Sequence, residues 1–162
     1  MSLGTFAPGY YAMTYDGADC GLVEGVRRLR RKSKGQPISA DKWGDTVIDG
    51  VYRGGDCFLQ VTFKEWTSTV RGILWPYDAD FGDIGQCGRL WSDLAKAIVL
   101  TAQSGSPAAT NGPATITANL ALVAEENDIE ISLGNEQRDV SVLFRLLPYN
   151  ISTGREAWFT VT

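Results

Sequence analysis

Glycine cuts this chain into short segments, and that punctuation limits the fold more than any other feature. It recurs at 4, 9, 17, 21, 25, 35, 44, 50, 54 and 55, then at 72, 82, 85, 88, 105, 112, 134 and 154. Between the glycines lie runs rich in Val, Ile, Tyr, Phe and Thr, side chains that suit a pleated, half-buried surface. The spacing predicts a mostly β chain, an antiparallel β-sandwich or barrel. With 162 residues, one domain over 1–162 with a sizeable core is expected.

The individual strands differ in pattern. Tyr10 to Tyr15 is aromatic and ends at Asp16-Gly17, a hairpin signal. Cys20 to Arg31 reads as extended. Val47 to Arg53 alternates, and Cys57 to Phe63 puts Cys57, Leu59, Val61 and Phe63 on one face. Ala114 to Val123 places Ile116, Ala118, Leu120 and Leu122 together. Asp128 to Leu133, Val140 to Leu147 and Ala157 to Val161 complete the strand set. One flanking helix is expected over about 65–75, with Trp66, Val70, Ile73 and Leu74 on one face, a Thr67–Thr69 start and a stop at Pro76. Two polar stretches read as loops, a long one over about 32–46 and a flexible one over about 102–113. Residues 1–8 read as an N-terminal arm. Local periodicity makes Leu90 to Ile98 helical.

Charge is concentrated. Arg27, Arg28, Arg30, Arg31, Lys32 and Lys34 hold six of the 15 cations, which leaves 9 positive against 19 negative charges elsewhere. An acidic body is a poor general binder of nucleic acid, because phosphate affinity comes from Lys and Arg. The basic segment can instead meet acidic surface on another copy of the chain. The first charge is Asp16 and apolar runs are short, so neither a targeting segment nor membrane insertion is expected.

The chain has no His, which removes imidazole catalysis and His-ligated metal. Cys20, Cys57 and Cys87 form no CxxC pair and read as small buried or strand residues, in keeping with a reducing compartment. Asp78, Asp80 and Asp83 lack the EF-hand spacing, and they and Glu125, Glu126, Asp128 and Glu130 read as solvated turns. Trp66, Trp75 and Trp91 read as core or interface anchors rather than a sugar platform. No cofactor, metal site or catalytic residue is assigned, and an enzyme is the least favoured class.

The order of segments resembles the major tail tube proteins of long-tailed, siphovirus-like bacteriophages. YYAMTYDGADCGLVEGV resembles that family's first hairpin. ISADKWGDTVIDGVYRGGDCFLQVTFKEW resembles its loop and returning strands, through Asp41, Gly44, Asp49, Gly54 and Glu65. IGQCGRLWSDLAKAIVLTA resembles the segment before its flexible loop. The pair Glu136 and Arg138 ahead of Val142, Phe144 and Leu147 resembles its late strand. The likeness runs over nearly the whole chain. It implies an extended course through Leu90 to Ile98, with a short turn near Ser92-Asp93 and a strand over Ala97 to Thr101, in place of the helix.

The resemblance also implies a structural virion protein. Hexameric rings stack into a tail tube that conducts DNA into the host, assembled in the bacterial cytoplasm with tape measure, terminator and initiator proteins as partners. Arg27, Arg28, Arg30, Arg31, Lys32 and Lys34, with Asp41 and Trp43, are then expected to touch a neighbouring subunit or ring. Glu24, Asp45, Asp49 and Asp56 are candidates for the lumen, where carboxylates repel DNA in transit. The alternatives are a tube subunit of a contractile tail or type VI-like apparatus, and, from another class, a monomeric β-sandwich module that binds a glycan.

Overall fold

The computed structural model describes residues 10–21, 23, 28–39, 47–78, 82–130 and 139–162. The first hairpin joins β1 (Tyr11–Tyr15) to β2 (Ala18–Asp19). Asp16 and Gly17 both have positive φ, 51° and 78°, the pair of left-handed residues that a two-residue hairpin turn needs. β3 (Arg28–Ser39) and β4 (Val47–Phe63) follow, then the helix α1 (Ser68–Leu74). After them come a short helical turn α2 (Trp91–Leu94), β5 (Lys96–Ala102), the short helix α3 (Pro107–Asn111), β6 (Thr115–Val123) and β7 (Val140–Leu146). β8 (Tyr149–Ser152), β9 (Arg155–Ala157) and β10 (Thr160–Val161) end the chain.

The main sheet is antiparallel, in the order β2-β1-β5-β6-β7-β4-β3. On the side of β6 away from β5, β10 pairs with Ile116 and Thr117, while β7 pairs with Ala121 to Val123. The sheet therefore forks at β6. The fold is mostly β, and the described strands do not close into a barrel.

One face of this sheet carries the main core. Cys57, Leu59, Val61 and Phe63 of β4 meet Leu146, Phe144, Val142 and Val140 of β7 across the ladder, and all eight are buried. Strict alternation puts these apolar residues on one side. Val70, Ile73 and Leu74 of α1 bury into the same cluster. Thr67 caps the helix, its Oγ1 accepting from the Val70 N–H at 3.2 Å. Such a cap contributes about 1 kcal/mol. The helix is shorter at both ends than the expected 65–75, because Thr67 starts it and Pro76, which cannot continue it, lies just past Trp75. A smaller cluster of Leu94, Ala95 and Leu122, with Tyr77, Leu120 and Leu147, covers part of the opposite face.

Several sequence expectations change. Residues 32–39 are strand rather than loop, part of β3. This segment pairs through its backbone with β4 and needs no buried side chain to do so. Of the extended run from Cys20 to Arg31, Gly21 takes φ 74°, Val23 makes an isolated bridge to Phe63 and β3 begins at Arg28, while residues 22 and 24–27 lie outside the described residues. Val47–Arg53 and Cys57–Phe63 are one strand, continuous through a bulge at Arg53-Gly54, opposite Lys34.

In β6, Ala118 and Ala121 are core while Leu120 and Leu122 face the other way. A register shift between Lys96 and Ile98 flips the alternation, so the four residues grouped by sequence do not share a face. Leu90 to Ile98 is a single helical turn over Trp91–Leu94 followed by strand from Lys96. The 102–113 loop contains α3, and Asp128 to Glu130 are not strand. Residues 1–8 and 131–133 lie outside the described residues. Among the described residues no helix is long and apolar enough to cross a membrane.

Candidate functional site

β7 pairs with β4 only over Cys57–Phe63, whereas β3 pairs with β4 from Gln60 out to Val47. Beyond Asp56 the two strands therefore leave the body as a two-stranded ribbon. Every residue of β3 is exposed, as is every residue of Val47–Arg53. Nine residues of extended chain reach about 30 Å, twice the ~15 Å radius of gyration expected of a compact chain this long. The outer edge of β3 has no strand partner among the described residues. Pro37 and the cations along that edge discourage indiscriminate pairing.

The ribbon has two zones. Near the body, Arg28, Arg30 and Lys32 sit opposite Gln60, Phe58 and Asp56 on one face. Arg31 points to the other face, beside buried Cys57, and its guanidinium lies 4.8 Å from the Trp158 ring centroid. Burial pushes the Cys57 thiol up in pKa against the opposing pull of Arg31. A groove of about 460 Å³ opens here between Arg30, Arg31, Lys32, Asp56, Phe58 and Glu126. Farther out the ribbon is apolar, with Ile38, Val47, Ile48, Val51 and Tyr52 all exposed.

A relay of charges roots the ribbon. Lys34 Nζ lies 2.7 Å from Asp56, Asp56 accepts from Arg145 at 3.2 Å, and Arg145 donates to both oxygens of Glu125 at 2.5 and 3.0 Å. The Arg145 guanidinium also stacks 4.7 Å from Phe58 and 5.8 Å from Trp91. Its side chain is 16% exposed, so these pairs are screened less than surface ones. Hydrogen bonding to Lys34 holds the Asp56 carboxyl below its ordinary value of 3.8, and hydrogen bonding to Arg145 holds Glu125 below 4.5.

Because both values are lowered, the relay is intact above the ordinary carboxylate range. It is lost as pH falls through the lowered values. Carboxyl-carbon NMR is expected to show both midpoints below the free values. Arg145→Met should raise both, Glu125 more, since Asp56 keeps Lys34. A Glu125 midpoint indifferent to Arg145→Met would remove the relay from the account.

The expected contact residues Arg28, Arg30, Arg31, Lys32 and Lys34 thus share one projecting strand. Of these, only Lys34 makes an ion pair among the described residues. Of the lumen candidates, Asp49 lies on the outer ribbon, its carboxylate accepting from the Gly50 N–H at 2.7 Å, and Asp56 is engaged by Lys34 and Arg145. Arg27, Asp41, Trp43, Glu24 and Asp45 lie outside the described residues.

Sequence reading missed Arg145. Its signal was a lone cation on the outward face of an otherwise apolar strand. Cys20 and Cys57 are buried as expected, but Cys87 is exposed. Trp66 packs on the core, whereas Trp91 is 42% exposed. Among the described residues no three His, Cys, Asp or Glu side chains are placed to hold a metal ion. No protein-family model matches the chain, and no curated protein matches it either.

Proposed function

We propose that this chain is a self-assembling structural subunit, a tail tube protein of a long-tailed phage. In this reading hexameric rings stack into a conduit for DNA. The observation that carries the reading is the ribbon: about 30 Å of paired strand with apolar and basic side chains exposed on both faces. An isolated two-stranded ribbon is marginal in water, and exposed apolar surface of this kind marks a contact. A ribbon that inserts into a neighbour makes a heterologous contact, which closes into rings or grows filaments.

The acidic body suits the same role. Duplex DNA carries about one charge per 1.7 Å of axis, so carboxylates facing a lumen repel it and let it slide. The tape measure, terminator and initiator proteins would be its other partners. The virion tail would be its final location, with assembly in the host cytoplasm and no catalysis or cofactor.

Negative-stain microscopy of the concentrated protein tests the reading, and six-fold rings or tubes are the expected result. A chain that stays monomeric at every concentration and binds glycans would replace it with the glycan-module reading. Sheath protein co-assembling on the tubes would move it to a contractile system.

A further inference from the structure

The ribbon's outer zone needs an apolar surface to cover it, and the body offers a second exposed apolar segment. Residues 82–93 connect the chain after α1 to α2, and all but Gly85 are exposed. Ile84 is 94% exposed, Leu90 66% and Trp91 42%. The segment is nonetheless fixed to the body. Gly85 takes φ 90°, and a Cβ there would lie 2.8 Å from Tyr77 Cβ. The Gln86 N–H donates to the Tyr77 carbonyl at 3.4 Å, and Trp91 lies over Arg145. Eight of the twelve large apolar side chains exposed among the described residues fall on these two surfaces, five on the outer ribbon and three here.

Within one chain the two surfaces leave each other uncovered. Trp91 lies beside the ribbon's root, while Val47 to Tyr52 run outward from it and stay exposed. Charge then separates the two ways that copies can pair. Ribbon against ribbon sets Arg28, Arg30, Arg31 and Lys32 against their equivalents, and like charges across an interface are costly. The 82–93 segment has the opposite balance, with Asp83 and Asp93 against Arg89.

We infer that the outer ribbon of one copy docks on the 82–93 segment of the next. This deepens the assembly reading and rests on it. Two different surfaces then meet, so the contact does not satisfy itself in a pair and passes from copy to copy. The apolar residues bury against Ile84, Leu90 and Trp91. Asp83 and Asp93 outweigh Arg89 on the segment, and Lys34 and Arg53 outweigh Asp49 on the outer ribbon, so the charges favour this pairing.

Cys87 lies within the segment and is exposed, whereas Cys20 and Cys57 are buried. A cysteine placed on the ribbon therefore has a natural reporter opposite it. Val51→Cys and Tyr52→Cys occupy adjacent, opposite faces of the strand, at exposed positions. Mild oxidation of the assembled protein is expected to give a ladder of dimers, trimers and larger species in at least one variant. Adding Cys87→Ser should abolish the ladder.

Rings or tubes without a Cys87-dependent ladder in either variant would overturn this inference and leave the assembly reading standing. Cross-linking that stops at dimers, or persists with Cys87→Ser, would overturn it in favour of ribbon-to-ribbon pairing. Absence of any assembly in the unsubstituted protein would remove both.

Discussion

Gly55→Ala is expected to free the ribbon from the body and abolish assembly while the core stays folded. A Cβ at position 55 would stand 2.5 Å from the backbone carbonyl oxygen of Lys32. That oxygen belongs to the paired strand and cannot rotate away as a flexible side chain would. The strands must separate where Ser33 pairs with Gly55 and Lys32 with Asp56, the point at which the ribbon leaves the sheet. Overpacking of this kind costs about 1–3 kcal/mol, comparable with all that a two-stranded ribbon has to lose. The main core lies on the far side of the break and is held by β4, β7 and α1.

Hydrogen exchange should show backbone amides of 33–39 and 47–53 losing protection, with Cys57–Phe63 unchanged. Gly35→Ala and Gly50→Ala serve as controls, since a Cβ at either lies 3.4 Å from the nearest carbonyl. Both should retain ribbon and assembly. Tubes formed by Gly55→Ala would mean that the ribbon root does not set the contact.

The inner half of β4 and the outer part of β3 differ in how far sequence reveals them, for a physical reason. Cys57–Phe63 alternates because one face is core, so its pattern records its environment. Residues 32–39 have neither face buried, and their Gly35 and Pro37 read as loop. Strand structure there comes from backbone pairing with β4, which side-chain periodicity does not record. The same limit applies to the relay. Asp56, Glu125 and Arg145 come from separate parts of the chain, and only the register Phe58↔Arg145 and Leu122↔Arg145 brings them together. In β6 one extra residue at Asn119-Leu120, opposite Ala97 of β5, exchanges the faces of Leu120 and Leu122. Leu120 to Val123 are all apolar, so the sequence of β6 does not mark where its alternation changes face. The basic cluster, by contrast, was visible as charge alone, because its residues are contiguous and the strand keeps them so.

Reversing two of those charges separates folding from assembly. Arg30→Glu with Arg31→Glu alters both faces of β3, because Arg30 faces the groove at Phe58 while Arg31 lies over Trp158. The loss at Trp158 is a cation–π contact of about 0.5–1 kcal/mol at an exposed site, too little to unfold the body. Thermal unfolding should therefore remain cooperative. Assembly should suffer far more if the proposed contact holds: attraction between β3 and an acidic partner is replaced by repulsion, and such juxtapositions cost several kcal/mol. A loss of about 2.8 kcal/mol raises the concentration needed for assembly about 100-fold.

Salt distinguishes this electrostatic cause from a shape defect. Screening weakens attraction and repulsion alike, so added salt should hinder assembly of the unsubstituted protein and partly restore it in the double variant. A double variant that assembles normally would show that the cations of β3 take no part in the contact. One that fails equally at low and high salt would assign Arg30 and Arg31 a packing role in place of a charge role.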